Sequence, residues 1–374
     1  MEKIIFKKLY FEILKNFLII LFSLSILIWL IQAVNFLDFI SEDGHGIDVY
    51  FQYTILNLPK IISKTFLLSY FLALYYVILK FEKTNQLLIF WTYGVKKLVF
   101  LNKLLKISFL FFIFSFILYF FISPFAQNKA RSLIKSSDLD FFTSLIKQKK
   151  FIDTVEGLTF FVNDKNNNQI QKIILKDAVN PNKVQIILAE KGEIINNNEL
   201  KSLILYNGKI INSDNNNKIS IINFKETALD LNKYQTKTVT VEKIQELSSL
   251  KILTCVLKSI NINFILNSKF KCNKTINKEY YKELYKRIFL PLFIILLTPI
   301  VTFMTFKSSS EFNYKFYKYL FFLIGILFVI ISEISISIIS NSILINLTII
   351  FLYPAVFILL ILLFKNQNKV KNLN

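Results

Sequence analysis

Six long apolar runs dominate this sequence and restrict what it can fold into. Each has about 20 residues almost free of charge, the length that a helix needs to cross the hydrocarbon core of a bilayer. A backbone in lipid must satisfy its own hydrogen bonds, so such runs are helical. No small-residue cleavage site follows the first run, which is therefore interpreted as a span rather than a signal peptide. The predicted spans are 16–37, 56–79, 104–124, 288–306, 319–340 and 343–364.

The net charge of +20 is interpreted as a signal of topology. Removing the spans leaves no basic domain interleaved with aromatic residues, so no nucleic-acid partner is expected. Short loops rich in lysine stay in the cytoplasm. The lysine-rich segments are 1–15, 80–103, 307–318 and the tail after 364, whereas the loops 38–55 and 341–342 contain neither Lys nor Arg. This alternation predicts that both termini are cytoplasmic and that residues 125–287 lie outside.

The predicted fold is a polytopic α-helical membrane protein with an inserted all-β domain. Residues 1–124 form a first bundle of three helices, 125–287 form the external region, and 288–374 form a second bundle of three helices with a cytoplasmic tail. Within the external region, 125–150 and 240–287 show helical spacing. Between them, short apolar runs alternate with Asn, Asp, Gly and Lys clusters, which is typical of an antiparallel sandwich or open barrel.

The dipeptide Asn207–Gly208 is the best hairpin signal in this region, because a type I′ turn needs positive φ at both central residues. The predicted strands are Leu158–Val162, Ile170–Leu175, Val184–Ala189, Glu193–Ile195, Leu200–Tyr206, Lys209–Ile211 and Ile219–Phe224. The two cysteines, Cys255 and Cys272, also lie here. Their separation leaves both a disulfide and two unpaired thiols open.

The sequence excludes several kinds of chemistry. The spacing of its seven glycines allows neither GxxxxGK[ST] nor GxGxxG, so the chain has no nucleotide-binding loop of its own. His45 is the only histidine, which excludes HExxH metal sites and Ser-His-Asp triads, and it is interpreted as a loop residue. We therefore expect no metal, no cofactor and no catalytic site, and a transport subunit rather than an enzyme.

Glu333 is the one acid deep in an apolar run, where a charge is costly and usually functional. A proton relay needs a second titratable group nearby, and none is evident in the sequence. A polar cavity or a subunit interface is the favoured interpretation.

Lysines near the external end of the second span predict an anion site. Pro59 suits the first turn of a helix, and helix N-termini attract anions. Lys60 and Lys64, one turn apart, share a face below that end and would bind a lipid phosphate; the alternative is that both only reach to the interface. Lys129 and Arg131 add positive charge at the same level, with ordinary interface anchoring as their alternative.

The cytoplasmic segment 82–98 is predicted to be an amphipathic helix. Leu87, Leu88, Trp91 and Val95 form its apolar stripe. Such a helix lies on the membrane or docks in a groove on a partner protein, and the sequence leaves both open.

The order of several short motifs resembles the LptF/LptG permeases of the lipopolysaccharide exporter over essentially the whole chain. Gln86-Leu-Leu-Ile-Phe-Trp-Thr-Tyr-Gly94 lies where that family has its coupling helix. The other motifs are Tyr-Phe-Glu-Ile-Leu-Lys15, Ile28-Trp-Leu-Ile-Gln32, Asn35-Phe-Leu-Asp38, Leu58-Pro59, Phe151-Ile-Asp, Ala189-Glu-Lys-Gly192, Leu205-Tyr-Asn-Gly208 and Glu283-Leu-Tyr-Lys-Arg287 followed by Pro291-Leu292. The exit of the first span, Trp29 to Gln32, looks more like LptF than LptG.

The resemblance implies a permease subunit of an ABC exporter that extracts lipopolysaccharide from the bacterial inner membrane. Its partners would be an LptG-like second permease, an LptB-like ATPase dimer that hydrolyses ATP, and an LptC- or LptA-like periplasmic bridge. Lipid A phosphates would contact Lys60, Lys64, Lys129 and Arg131. A periplasmic β-jellyroll, about 151–240, would pass the lipid on by edge-to-edge strand addition.

The coupling helix implied by the resemblance would contact the ATPase through Glu82, Gln86, Leu87, Trp91 and Gly94. The family usually has Glu eight residues before the glycine, where this chain has Gln86, and Glu82 is a possible substitute one turn earlier. A mechanotransmitter or a membrane-anchored sensor is the alternative function. The first class places its external domain after the first span, and the second needs a signalling domain for which the cytoplasmic loops are too short.

Overall fold

The computed structural model describes residues 2–37, 46–145, 149–155, 157–166, 169–178, 183–197, 200–214, 219–230, 243–259, 272, 277–308, 311, 313–340 and 342–373. His45 lies outside these residues. The chain divides into two compact units. A helical unit comprises Met1–Ile31, Leu56–Lys129 and Glu242–Asn374, and a second unit comprises Gln32–Ile55 and Ala130–Val241.

The described residues contain six helical segments that are long and apolar enough to cross a membrane, which confirms the six predicted spans. They are Lys3–Asn35, Ile47–Lys83, Lys97–Ile134, Asn277–Phe306, Tyr314–Ile338 and Leu344–Asn368. The second extends further toward the N-terminus than predicted, because a short helix precedes it almost without interruption.

Eleven α-helices build these segments and their connections in the described residues. They are α1 Glu2–Asn35, α2 Ile47–Leu56, α3 Leu58–Lys83, α4 Gln86–Thr92, α5 Lys97–Ile117, α6 Ser123–Leu145, α7 Ser249–Ser259, α8 Asn277–Ile288, α9 Phe293–Thr302, α10 Tyr314–Ile338 and α11 Ile343–Leu373. A π-helical turn, Leu118–Ile122, joins α5 to α6, and 3₁₀ turns occupy Ile244–Glu246, Leu290–Leu292 and Phe303–Phe306.

Helices α3 and α9 form the centre of the helical unit. Tyr70 of α3 is fully buried, and its hydroxyl lies 2.7 Å from Ser108 Oγ of α5 and 3.0 Å from Thr298 Oγ1 of α9. Polar side chains join helices in this way because lipid offers them no other partner. Gly325 of α10 makes room for the Phe71 ring of α3, since a Cβ there would lie 2.0 Å from Phe71 Cε2.

A buried arginine ties the connecting segment before α7 to the start of the fourth span. Arg287 is 1% exposed and donates to Glu283 Oε1 at 3.0 Å and to Ser249 Oγ at 2.8 Å. It also donates to the carbonyl oxygens of Leu247 and Gln245, each at 2.9 Å. Every contact satisfies a guanidinium N–H, as a buried charge requires.

Cys255 and Cys272 form a disulfide, with their Cα atoms 5.6 Å apart. The structure thus decides between the two alternatives that the sequence left open. The bond joins α7 to the segment before α8 and lies in a small apolar cluster with Leu247, Ile252 and Tyr280.

The β domain is one antiparallel sheet of six described strands in chain order. The strands are β1 Phe151–Val155, β2 Leu158–Asn166, β3 Gln169–Asp177, β4 Lys183–Asn197, β5 Leu200–Asp214 and β6 Ile219–Asp230. Phe160, Val162, Ile173, Leu175 and Leu205 are among the residues of its buried face. The predicted all-β character of this region is confirmed.

The predicted hairpin at Asn207–Gly208 is wrong, and β4 and β5 are each one long strand where two were predicted. Gly208 lies inside β5, paired with Ala189 on one side and Phe224 on the other. Asn207 has a positive φ of 51°, as the sequence suggested, but Gly208 does not, so the type I′ turn is not formed. A Cβ on Gly208 would lie 2.2 Å from the carbonyl oxygen of Leu188, so the glycine serves close strand packing rather than a turn.

Asn207 belongs to a line of irregular residues that crosses five strands, which we call the crease. It comprises Asn163, Lys172, Glu190, Asn207 and Lys225, each omitted from an otherwise continuous pairing register. The inward positions of a regular strand are two residues apart. Across the crease they are three apart, as with the buried pair Ile170 and Ile173.

Candidate functional site

The helical unit contains a cavity of about 590 Å³ lined mainly by charged side chains, which we call the polar cavity. Its walls come from α3, the segment around Ile244, α8 and α10. The charged lining residues are Lys64, Lys243, Glu279, Lys282, Glu283, Lys286 and Glu333. The fold therefore brings Lys64 and Glu333, which are distant in sequence, to one site.

Helix α8 supplies most of the charge of the polar cavity. Glu279, Lys282, Glu283 and Lys286 are separated by three or four residues and therefore share one face. Glu283 lies 3.8 Å from Lys286 Nζ and 3.0 Å from Arg287 Nε. Because this carboxylate already has two cations, the cavity is left with an excess of lysine. That balance favours an anionic ligand such as a phosphate.

Lys60 and Lys64 lie close to these charges, but not at an open helix end. Asn57 has helical backbone angles, φ −82° and ψ −14°, and makes no side-chain capping bond to α3. Because α2 ends at Leu56, the free N-terminus predicted at this point is not formed. Lys60 interacts electrostatically with Lys64, Lys243 and Lys286. The positive charge at this site therefore comes from side chains, not from a helix dipole.

Lys129 and Arg131 are both on α6, and neither is among the residues lining the polar cavity. Lys129 is exposed in the helical unit, whereas Arg131 is half-buried and belongs to the second unit. Their role as phosphate ligands stays a prediction.

Glu333 does have titratable neighbours, although the sequence showed none. It lines the polar cavity with Lys64, and it interacts electrostatically with Tyr119. Tyr119 is on the π-helical turn, is 5% exposed, and its hydroxyl has no hydrogen-bond partner. π-Turns within helices often mark functional positions. Glu333 thus lines a polar cavity, which is one of the two interpretations favoured from the sequence.

The predicted coupling helix is shorter than 82–98. Helix α4 is only Gln86–Thr92, because positive φ angles at Asn85 (55°) and Gly94 (76°) break the chain on both sides. Glu82 belongs to α3 instead. Leu87 and Phe90 are each 1% exposed and hold α4 on the helical unit, with the Phe90 ring 5.1 Å from Phe6.

The outward face of α4 is apolar. Of the predicted apolar stripe, Leu87 is buried whereas Leu88 is 58% exposed; Ile89 and Tyr93 are also exposed. Trp91 is half-buried, with Lys97 Nζ 5.7 Å from its ring centroid. A short rigid helix with an exposed apolar surface has the form of a docking element.

Sequence reasoning missed Lys243, Lys282 and Lys286 as site residues. The charges of α8 were visible as a charged approach to the fourth span, and their helical spacing could have placed them on one face. Lys243 carried no such signal, because only the tertiary fold brings it to α8.

Comparison with known proteins agrees with this architecture. Residues 7–366 match the family model described as the lipopolysaccharide export system permease LptF/LptG. An uncharacterised protein of Rickettsia prowazekii (strain Madrid E) is 21% identical over 184 residues, which cover 49% of this chain and 51% of that protein. The alignment thus spans about half of that relative. The family match does not separate LptF from LptG. Because it covers nearly the whole sequence, the chain belongs to the LptF/LptG permease family.

Proposed function

We propose that this chain is a permease subunit of an ABC exporter that extracts lipopolysaccharide from the inner membrane and passes it to a periplasmic bridge. The polar cavity is the observation that carries the proposal. The cavity has more lysine side chains than it has carboxylates that lack a paired cation. These lysines lie where three spans meet the external connecting segments. A diphosphorylated lipid such as lipid A suits that charge, with Lys64 and Lys286 as the residues expected to contact phosphate.

A second permease subunit would complete the cavity. Glu333 is exposed on α10 although it lies in an apolar span. An acid facing hydrocarbon is costly, whereas one facing a water-filled cavity between two subunits is not. An LptG-like partner on this side would enclose both Glu333 and the lipid headgroup. The LptF-like identity of this chain remains part of the proposal.

An LptB-like ATPase dimer would bind the outward face of α4. Leu88, Ile89 and Tyr93 provide an apolar surface for a groove on the ATPase. Gln86 begins the helix, and Glu82 lies in the last turn of the preceding helix, so either side chain is placed to add a polar contact. ATP hydrolysis would come from that partner.

A periplasmic bridge protein would add to the sheet at β6. Among the described strands, β6 is a long edge strand paired only with β5. Ile219, Ile221 and Ile222 are each more than half exposed on it. A long apolar edge is a template for strand addition. The lysine distribution supports a periplasmic location for this sheet and a cytoplasmic location for both termini.

The test is purification of tagged protein from its native membranes in mild detergent, followed by mass spectrometry of bound proteins and lipids. We expect recovery of a second six-span permease, an ABC ATPase and lipid A. Recovery of the chain with neither ATPase nor permease would contradict the exporter proposal and favour a sensor.

The cavity is tested by the double variant Lys64→Gln/Lys286→Gln. A surface lysine near an anionic lipid contributes about 1 kcal/mol, so removing two should lower lipid A per mole of protein about thirtyfold. The matched control is Lys278→Gln/Lys365→Gln, which removes the same charge from exposed positions outside the cavity. Equal lipid A in the two variants would show that the cavity is not the substrate site.

A further inference from the structure

A second cavity lies between α1 and α5, at the ends predicted to be cytoplasmic. It has a volume of about 710 Å³ and apolar walls that include Phe11, Leu14 and Leu110. Three lysines, Lys7, Lys103 and Lys106, line it as well. We call it the inner groove; the substrate pathway proposed above does not use it.

The lysines of the inner groove are grouped at one end. On α1 the lining runs from Lys7 to Leu18, and on α5 it runs from Lys103 to Phe114. In both helices the basic residues come first along the chain and the apolar residues follow. Since the two helices begin at the same predicted membrane surface, the groove has a charged mouth at the interface and an apolar interior.

The length of the inner groove corresponds to one leaflet. Eleven residue steps along a helix rise about 17 Å, close to half of the roughly 30 Å hydrocarbon core. Aromatic rings then close it: the Phe17 ring centroid lies 4.9 Å from that of Phe66 and 4.7 Å from that of Phe111. A spanning helix of a partner would need a groove about twice as long, whereas the acyl chains of one leaflet fit.

The charge of the groove selects the headgroup. None of the described residues that line it is acidic. Glu12, the acid of α1 in this region, binds Lys80 of α3 at 2.8 Å instead. Lys103 is fixed at the mouth, because its Nζ lies 5.6 Å from the Phe6 ring centroid and its carbonyl accepts a hydrogen bond from Tyr10. Basic pockets between spans on the cytoplasmic side are suited to anionic lipid headgroups.

We propose that the inner groove binds one anionic phospholipid of the cytoplasmic leaflet, with its phosphate among Lys7, Lys103 and Lys106 and its acyl chains against α1 and α5. This site uses the orientation proposed above, but it is separate from the polar cavity. The lipid would fill the space between the first and third spans and hold their cytoplasmic ends, including the Phe6 contact with α4, in one arrangement.

The experiment uses the complex purified from native membranes, stripped of lipid and returned to bilayer discs of phosphatidylcholine with increasing phosphatidylglycerol. Native mass spectrometry counts the phosphatidylglycerol retained by each protein. The triple variant Lys7→Gln/Lys103→Gln/Lys106→Gln should lose preference for phosphatidylglycerol over phosphatidylcholine on the order of a hundredfold, given three interfacial lysines. The control Lys3→Gln/Lys8→Gln/Lys365→Gln changes net charge equally outside the groove and should retain it.

A second pair of variants tests the acyl chains. Leu14→Trp fills the groove and should also displace phosphatidylglycerol, whereas Leu27→Trp, exposed elsewhere on α1, should not. Equal retention in the triple variant and its control would overturn the proposal. So would a photo-crosslinker at position 14 that captures a polypeptide instead of a lipid. Lipid A and ATPase recovery, measured on each preparation before the lipid is stripped, should be unchanged in the controls, so failure here is distinct from failure of the exporter proposal.

Discussion

The buried and the peripheral spans all have the hydropathy of membrane-crossing helices, but they differ in packing. In the segments Ile47–Lys83 and Asn277–Phe306, 72% and 78% of the most apolar stretch is buried. In Lys3–Asn35, Tyr314–Ile338 and Leu344–Asn368 the values are 17%, 17% and 11%. Hydropathy therefore identifies a span without indicating whether it faces lipid, a partner or the core.

Buried hydroxyl groups mark where the spans pack against one another. Helix α3 buries Ser63, Thr65 and Ser69, and α9 buries Thr298 and Thr302. Peripheral helices join this core at a few points. Ser25 of α1 hydrogen-bonds Thr65 at 3.0 Å. On α10, Gly325 lies against Phe71, and Ser335 accepts a hydrogen bond from Tyr285 at 3.0 Å. Lipid is as apolar as leucine, so small and polar residues decide where spans pack. Substitutions in the two classes should differ accordingly.

Removal of the buried arginine should have the largest effect. Arg287→Met deletes the four contacts described above and leaves Glu283 without that partner and two carbonyls unsatisfied. Breaking a buried pair from one side costs about 3–5 kcal/mol, so the free energy of unfolding in mixed micelles should fall by that amount. Lys278→Met, at an exposed position of the same helix, should change it little. Similar unfolding free energies for the two variants would mean that the Arg287 hydrogen bonds do not stabilise the packing of the segment before α7 on α8.

Gly325→Val should be the next most harmful change. The added Cβ would lie 2.0 Å from the Phe71 ring, and overpacking of this kind costs about 1–3 kcal/mol. Leu323→Val, on an exposed face of α10, is the control. In thermal unfolding, Phe71→Ala should partly rescue Gly325→Val. A loss of stability without any rescue would place the strain elsewhere.

Thr298→Val removes one hydroxyl from the buried group with Tyr70 and Ser108. Interhelical hydrogen bonds in membranes contribute about 0.6 kcal/mol on average and up to about 1.7, and the expected loss lies in that range. Thr348→Val on α11, whose hydroxyl is exposed, should have no measurable effect. Equal effects at the two positions would break the distinction between buried and peripheral spans.

Leu359→Ala on α11 should have the smallest effect on the isolated chain, because the side chain is 55% exposed. The unfolding free energy should change by less than about 0.5 kcal/mol. If a second permease covers this face, the same variant should still reduce co-purification of that subunit. A large loss in the isolated chain would show that the face is packed within the subunit.

The sequence was sufficient for the spans and for the β domain, because both rest on local periodicity. The long apolar runs had to be helical in lipid, and short apolar runs between turn residues, such as Leu158–Val162 and Ile170–Leu175, indicated strands. The positions of charged residues in the sequence predicted less of the polar cavity. Lys64 was recognised from its depth in a span, but its neighbours Lys243 and Lys286 are distant in sequence and meet it only after folding.

Errors arose where one local signal had two structural uses. Asn207–Gly208 signals positive φ, which occurs both in a tight turn and at an irregular position inside a strand; the partners on both sides of β5 select the second. Leu88 fits a helical stripe over 82–98, but Asn85 and Gly94 shorten the helix and turn Leu88 outward. Pro59 suits a first turn, yet it could not reveal that α2 precedes it.

The crease also limits how this sheet can change during evolution. Each of the five strands carries its irregular residue at the same level of the sheet. Within a strand, the inward-facing residues before the crease and those after it therefore differ by one position from a regular two-residue alternation. Loss of one residue from a single strand would shift that residue out of line and turn the remainder of the strand inside out. Changes in length are therefore expected at the turns that join the strands, which can lengthen or shorten without altering the phase of either half.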